Sequence, residues 1–130
     1  MSFCLSAEKY LVAEGSMLKF AVLRRGDIIL PEMVNISTTA GSARSGIDFE
    51  PLDKDLIFLK GERQKDLEIT VYADSELEFD EVFYVKLLQL PVSYAKIINP
   101  EVDFWGLSEL GEPNISQVTI LDVESFEDFV

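Results

Sequence analysis

The sequence predicts an all-β fold, an antiparallel β-sandwich of about seven short strands. Three observations lead there. Apolar and polar residues alternate in short runs, the period of half-buried strands. Glycine, proline and acidic turn signals separate those runs. No segment sustains a helical period, and the loop around Asp103 to Leu110 is expected to hold a short turn at most.

The elements follow in order. Ser2 to Val12 reads as a first strand, broken by Glu14-Gly15. Met17 to Arg25 is the second, with Leu18, Phe20 and Val22 on one face, and Arg25-Gly26-Asp27 turns the chain at an expected hairpin tip. Met33 to Thr39 is a β-branched third strand carrying Val34, Ile36 and Thr38 on one side. Ala40 to Pro51 has loop chemistry, and Asp55 to Leu59 is a short fourth strand before the Lys60-Gly61-Glu62 turn. Two strands then flank a dense acidic turn. Leu67, Ile69 and Val71 share a face before it, and Phe83, Val85 and Leu87 share one after it. Leu90 to Ser116 is a long connection of a kind often functional or mobile, which Phe104 and Trp105 are expected to pin to the body. Gln117 to Leu121 is the last strand. Residues 1–125 are read as one domain and 126–130 as a linker to a following domain or a tail.

Composition narrows the function. Of the 130 residues, 48% are hydrophobic, too many for a disordered acidic tail. No apolar run reaches membrane-spanning length and no signal-peptide pattern opens the chain, so it reads as a domain excised from a longer protein. The formal charge is −13, from 24 acids against 11 bases. That field disfavours nucleic acid and anionic membrane, and suits cations or a basic protein surface. Cys4 is the lone cysteine and reads as a small buried hydrophobe. The absence of histidine removes Ser-His-Asp chemistry and most zinc sites. Paired carboxylates serve glycoside hydrolysis, but no aromatic-lined sugar cleft accompanies them, so no enzyme is expected.

The acidic residues are not spread evenly. In a sandwich, alternate connections lie at the same end. Glu14, Asp48, the run Asp74 to Glu81, and Asp122 with Glu124 all follow odd-numbered strands, so an up-and-down count gathers them at one end. Carboxylates from several loops suit calcium, which takes about six to eight oxygen ligands. The spacing is not that of an EF-hand. The alternative is a solvated acidic end that aids solubility.

Six stretches, in order, carry a resemblance: V-A-E-G at 12–15, L-R-R-G-D at 23–27, T-A-G-S-A-R-S-G-I-D-F at 39–49, F-L-K-G-E at 58–62, A-D-S-E-L-E-F-D-E-V-F at 73–83 and V-T-I-L-D at 118–122. Together they resemble the Calx-beta domain over nearly the whole chain. The resemblance implies an Ig-like β-sandwich, as in the calcium sensors of sodium/calcium exchangers, integrin beta-4, a very large adhesion receptor and Fras/Frem matrix proteins. In the exchanger sensors calcium binds among loops at one end. The ligands it implies here are Glu14, Asp48, Asp74, Glu78, Glu81, Asp122 and Glu124. Three positions depart from the calcium-binding pattern. Ala73 stands where those members carry aspartate, and Ser75 and Val123 interrupt acidic runs. Fewer carboxylates imply weaker affinity or fewer ions.

Two shorter motifs point outside the cell. Arg25-Gly26-Asp27 resembles the integrin-recognition tripeptide, with ordinary turn chemistry as the alternative. Asn35-Ile36-Ser37 and Asn114-Ile115-Ser116 are N-glycosylation sequons. The expected role is therefore a non-catalytic, calcium-binding module of an extracellular matrix or adhesion protein, partnered by neighbouring domains and by an integrin. The alternatives are an exchanger's sensor at the cytoplasmic membrane face and a passive spacer without metal.

Overall fold

In the computed structural model the described residues are 2–26, 28–73 and 79–122. They form strands β1 (Ser2–Leu5), β2 (Lys9–Ala13), β3 (Met17–Arg25), β4 (Glu32–Ala40), β5 (Asp53–Phe58), β6 (Gln64–Thr70), β7 (Glu81–Gln89) and β8 (Ile115–Leu121), with one helix, α1 (Val92–Ile98). One sheet has the order β1-β3-β6 and the other β2-β8-β7-β4-β5. Among the described residues all strand–strand pairings are antiparallel except β2 with β8.

Period-two patterning aims one face of each strand into the space between the sheets. Leu18, Phe20 and Val22, Val34 and Ile36, Ile69 and Val71, and Phe83, Val85 and Leu87 meet in one cluster. Phe49 stacks on Phe83, with ring centroids 4.0 Å apart and planes within 9° of parallel. Cys4 is buried at 2% exposure, as a small apolar residue should be.

The stretch from Ser2 to Val12 is two strands, not one. A straight strand would send Leu5 and Val12, seven positions apart, to opposite faces. The chain instead leaves the first sheet after Leu5 and enters the second at Lys9, so both side chains reach the core. Ser6 fastens the crossing. Its N–H donates to the Ala21 carbonyl at 2.9 Å, and its Oγ accepts the Ala21 N–H at 3.1 Å.

The long connection also departs from expectation, because it contains α1. Two turns are too few to show a period, and Pro91 sits at the helix start, where it is tolerated. Ala95 of α1 and Trp105 join Met33 in a second cluster, with Ile57 and Leu90 packed against it. Met33 and Ile57 alternate with core residues along β4 and β5, so this cluster covers the outer face of that strand pair. Tyr94 adds a hydroxyl bond to Asp55 Oδ2 at 2.6 Å. Trp105 pins the connection, whereas Phe104 is 76% exposed and does not.

The Arg25-Gly26 turn is a crossing between sheets, since β3 and β4 belong to different ones, and not the tip of a hairpin. Beneath it lies Arg24, only 2% exposed. Its guanidinium donates to the carbonyls of Leu59 at 2.7 Å, Leu30 at 2.9 Å, Glu62 at 3.0 Å and Ile28 at 3.4 Å. It also pairs with Glu32 Oε1 at 3.3 Å and lies 5.7 Å from the Phe58 ring centroid. One side chain thus ties the β3–β4 crossing to the β5–β6 turn.

Candidate functional site

The pairings fix which strand ends lie together. β3 reverses β2 across the short Glu14–Ser16 turn and is antiparallel to β1, so β1 and β2 run in the same direction and splitting the first strand leaves the up-and-down count intact. Within the sheets β2, β4 and β8 run together, and the Val71 N–H bond to the Ser16 carbonyl brings the β6 exit to the β2 exit, so β2, β4, β6 and β8 all point towards one end of the sandwich and β3, β5 and β7 towards the other. The exits of the first group carry the acidic residues.

Local chemistry then draws those exits together. The loop after β4 lies on the start of β7. Val82 N–H donates to Ser42 Oγ at 2.8 Å, and Ala43 N–H to the Val82 carbonyl at 2.9 Å. A Cβ at Gly41 would stand 2.5 Å from the Val82 carbonyl oxygen, so only glycine permits this approach. Further along, Phe49 is fully buried and fixes its neighbour Asp48 at the rim of the core. The Asp48 carbonyl accepts the Tyr72 N–H at 3.0 Å, which joins this loop to the exit of β6. Glu14 N–H donates to the Leu121 carbonyl at 3.0 Å, which places the β2 exit beside that of β8.

The result is an open cleft lined by Glu14, Asp48, Tyr72, Phe79, Glu81, Ile120 and Asp122. Four carboxylates from four different strand ends thus share one cavity. Asp48 and Asp122 are 5% and 4% exposed. Asp48 Oδ2 accepts the Arg44 N–H at 2.6 Å and faces Arg44 Nε at 3.3 Å. The charged donors lining the cleft are all carboxylate oxygens, a set that suits a hard cation and not a soft one. Among the described residues no three carboxylates stand close enough to hold one ion.

Of the seven expected ligands, the structure brings Glu14, Asp48, Glu81 and Asp122 to the cleft. Asp74, Glu78 and Glu124 lie outside the described residues. Ala73 is exposed beside the Glu14-Gly15 turn, since a Cβ on Gly15 would sit 3.4 Å from the Ala73 Cβ. One participant escaped the sequence reading. Asp80 Oδ1 accepts the Asp122 N–H at 3.3 Å, which ties the β8 exit to the segment before β7. Asp80 lies inside the acidic run, but spacing alone gave no reason to separate it from its neighbours.

The remaining motifs lie elsewhere. Arg25 is exposed at the opposite end and Gly26 has φ +92°, while Asp27 lies outside the described residues. Asn35 is 9% exposed, and its Nδ2 donates to Asp53 Oδ1 at 2.8 Å and Asp55 Oδ1 at 3.0 Å. A glycan needs that same nitrogen, so the folded domain does not offer it. Asn114 is half-buried and donates to the Gly111 carbonyl at 3.0 Å.

Comparison with known proteins agrees with this geometry. The family model "Calx-beta domain" matches residues 1–124. Sodium/calcium exchanger 2 of Mus musculus is 36% identical over 120 residues, which cover 88% of this chain and 13% of the exchanger. FRAS1-related extracellular matrix protein 2 of Homo sapiens is 36% identical over 74 residues, which cover 57% of this chain and 2% of that protein. The chain therefore spans only a small part of either relative. A crystal structure of the calcium binding domain CBD12 of CALX1.1 superposes with a TM-score of 0.75 at 30% identity, covering 94% of this chain and 44% of that one. The sandwich, its acidic end and these matches together place the chain in the Calx-beta family.

Proposed function

We propose that this domain is a non-catalytic calcium-binding module of a larger polypeptide, with its site at the exits of β2, β4, β6 and β8. The observation that carries the reading is the shared cleft, where Glu14, Asp48, Glu81 and Asp122 converge from four strand ends. Bringing carboxylates together costs energy through repulsion and desolvation unless a cation answers them. Calcium accepts many oxygen ligands in flexible geometry, whereas magnesium demands a tight octahedron. Ligands spread over several loops therefore favour calcium. An ion bound there, its shell completed by carbonyls or water, would link connections that carry these carboxylates and stiffen that end of the module.

Thermal melts in EDTA, magnesium and calcium test this. Calcium at a hundredfold excess over Kd should raise the melting temperature by the order of 10 °C, by linkage to the folded state. Magnesium should do much less. Identical curves in all three would leave the acids as a solvated end and the module as a spacer.

Both an exchanger and a matrix protein are among the relatives, and the exchanger match runs over more of the chain. The site reading holds in either setting. An adhesive role rests on a separate observation, the exposed Arg25 at the far end. Asp27→Glu keeps the charge but lengthens the side chain, so it should abolish integrin-dependent cell attachment. Retained attachment removes that role.

A further inference from the structure

We propose that the Arg44 guanidinium is a tethered counter-ion that competes with calcium for Asp48. The inference rests on the calcium reading above and concerns the regulation of that site. Asp48 is a buried carboxylate at the cleft, and Arg44 reaches it from the loop four residues earlier. The two residues differ sharply in exposure. The Asp48 side chain is 6% exposed and the Arg44 side chain 58%.

Charge and oxygen chemistry set the guanidinium against a cation at this carboxylate. A carboxylate oxygen offers two acceptor positions. Asp48 Oδ2 spends one on the Arg44 backbone N–H at 2.6 Å and the other on Arg44 Nε at 3.3 Å. The backbone donor is held by its loop, because Ala43 N–H is fixed to the Val82 carbonyl and Gly46 N–H to the Phe49 carbonyl. An ion that takes Oδ2 must displace the guanidinium, and one that binds through Oδ1 meets the positive charge of Arg44 beside it, so either route is weakened. More than half of the Arg44 side chain is already in water, so parting from Asp48 costs the guanidinium little solvation. A divalent ion carries twice the charge of one guanidinium and acts on the other carboxylates of the cleft as well. Arg44 thus holds Asp48 when calcium is scarce and sets the concentration at which the site fills. The effect on affinity is modest, because a largely exposed pair is worth little.

Calcium titrations of the whole chain test the inference, followed by melting temperature and by calorimetry. Arg44→Gln should lower the half-saturating calcium concentration about three- to fivefold. Arg44→Lys, which keeps the charge, should stay within about twofold of the unmodified chain. In EDTA the Gln variant should melt lower, and in saturating calcium the two should coincide. An unchanged or higher half-saturating concentration in Arg44→Gln overturns the proposal. So does an equal loss of stability with and without calcium, which would make Arg44 a structural residue only. If the unmodified chain shows no calcium response, the site reading itself fails and the competition falls with it.

Discussion

The two ends of this sandwich solve the problem of buried charge in opposite ways. At the Arg24 end a single guanidinium is enclosed and answered from within the chain, by four carbonyls and Glu32. At the other end four carboxylates line an open cleft, and Arg44 reaches Asp48 from the rim. The first arrangement is complete as it stands and fixes the loops around it. The second gathers like charges in a place where an added cation finds oxygen ligands. A closed polar network gives rigidity, whereas an open one leaves room for a ligand.

The largest effect expected from breaking this contrast is at the closed end. Arg24→Met strips four carbonyls of a donor and leaves Glu32 buried without its guanidinium. Urea unfolding should show a loss of about 3–5 kcal/mol. Calcium affinity measured on the folded fraction should be unchanged, because the cleft is at the other end. At the open end, Asp48→Asn combined with Asp122→Asn should erase the calcium-dependent rise in melting temperature. That removes about 2–3 kcal/mol of linked stability at a hundredfold excess over Kd. In EDTA the same variant should melt close to the unmodified chain, since relief of repulsion offsets the lost pairing of Asp48 with Arg44. A large loss in EDTA would show that these carboxylates are structural and that the ends do not differ as described.

Smaller changes sharpen the comparison. Ala73→Asp adds a carboxylate beside the Glu14-Gly15 turn and should tighten calcium by roughly threefold to tenfold in a calorimetric titration. No tightening would show that this position faces away from the ion. The smallest effect concerns Glu62 at the closed end. Its carboxyl is held below the usual 4.5, first by the Leu59 N–H and then by Lys65. A carboxyl lowered on folding stabilises the protein above its unfolded value, and that contribution fades as pH falls through the folded one. Glu62→Gln should therefore lose slightly less stability than the unmodified chain when acidified from pH 5 to about 3. Equal losses would show that the turn draws no strength from its ionised form.

Much of the fold was legible because strand burial has a period of two. Met17 to Arg25 was read with the bounds of β3, and the inward residues of β6 and β7 were identified from alternation alone. The acidic cleft was legible for a related reason. Strand parity depends only on counting reversals, and the split of the first strand adds none. What stayed hidden depends on contacts between distant segments. The sheet switch at Ser6 follows from Ala21, fifteen residues away. The helix α1 owes its place to Met33 and Trp105, not to a pattern of its own. Asn35 carries a sequon in the sequence, but Asp53 and Asp55 of the next strand take up its amide.

By itself, then, the sequence determined the all-β class, the inward faces of the strands and the acidic character of alternate strand exits. These follow from local alternation and from the order of residues along the chain. Only the tertiary structure decided which charges are answered. Arg24 and Arg25 are adjacent and chemically identical, yet one is a buried hub and the other is exposed on the crossing between the sheets. Asp48 and Asp80 are both carboxylates near strand ends, yet one lines the cleft while the other bonds to the backbone of Asp122. The physical reason is that a charge is stabilised by what surrounds it in space, and those partners come from segments tens of residues away.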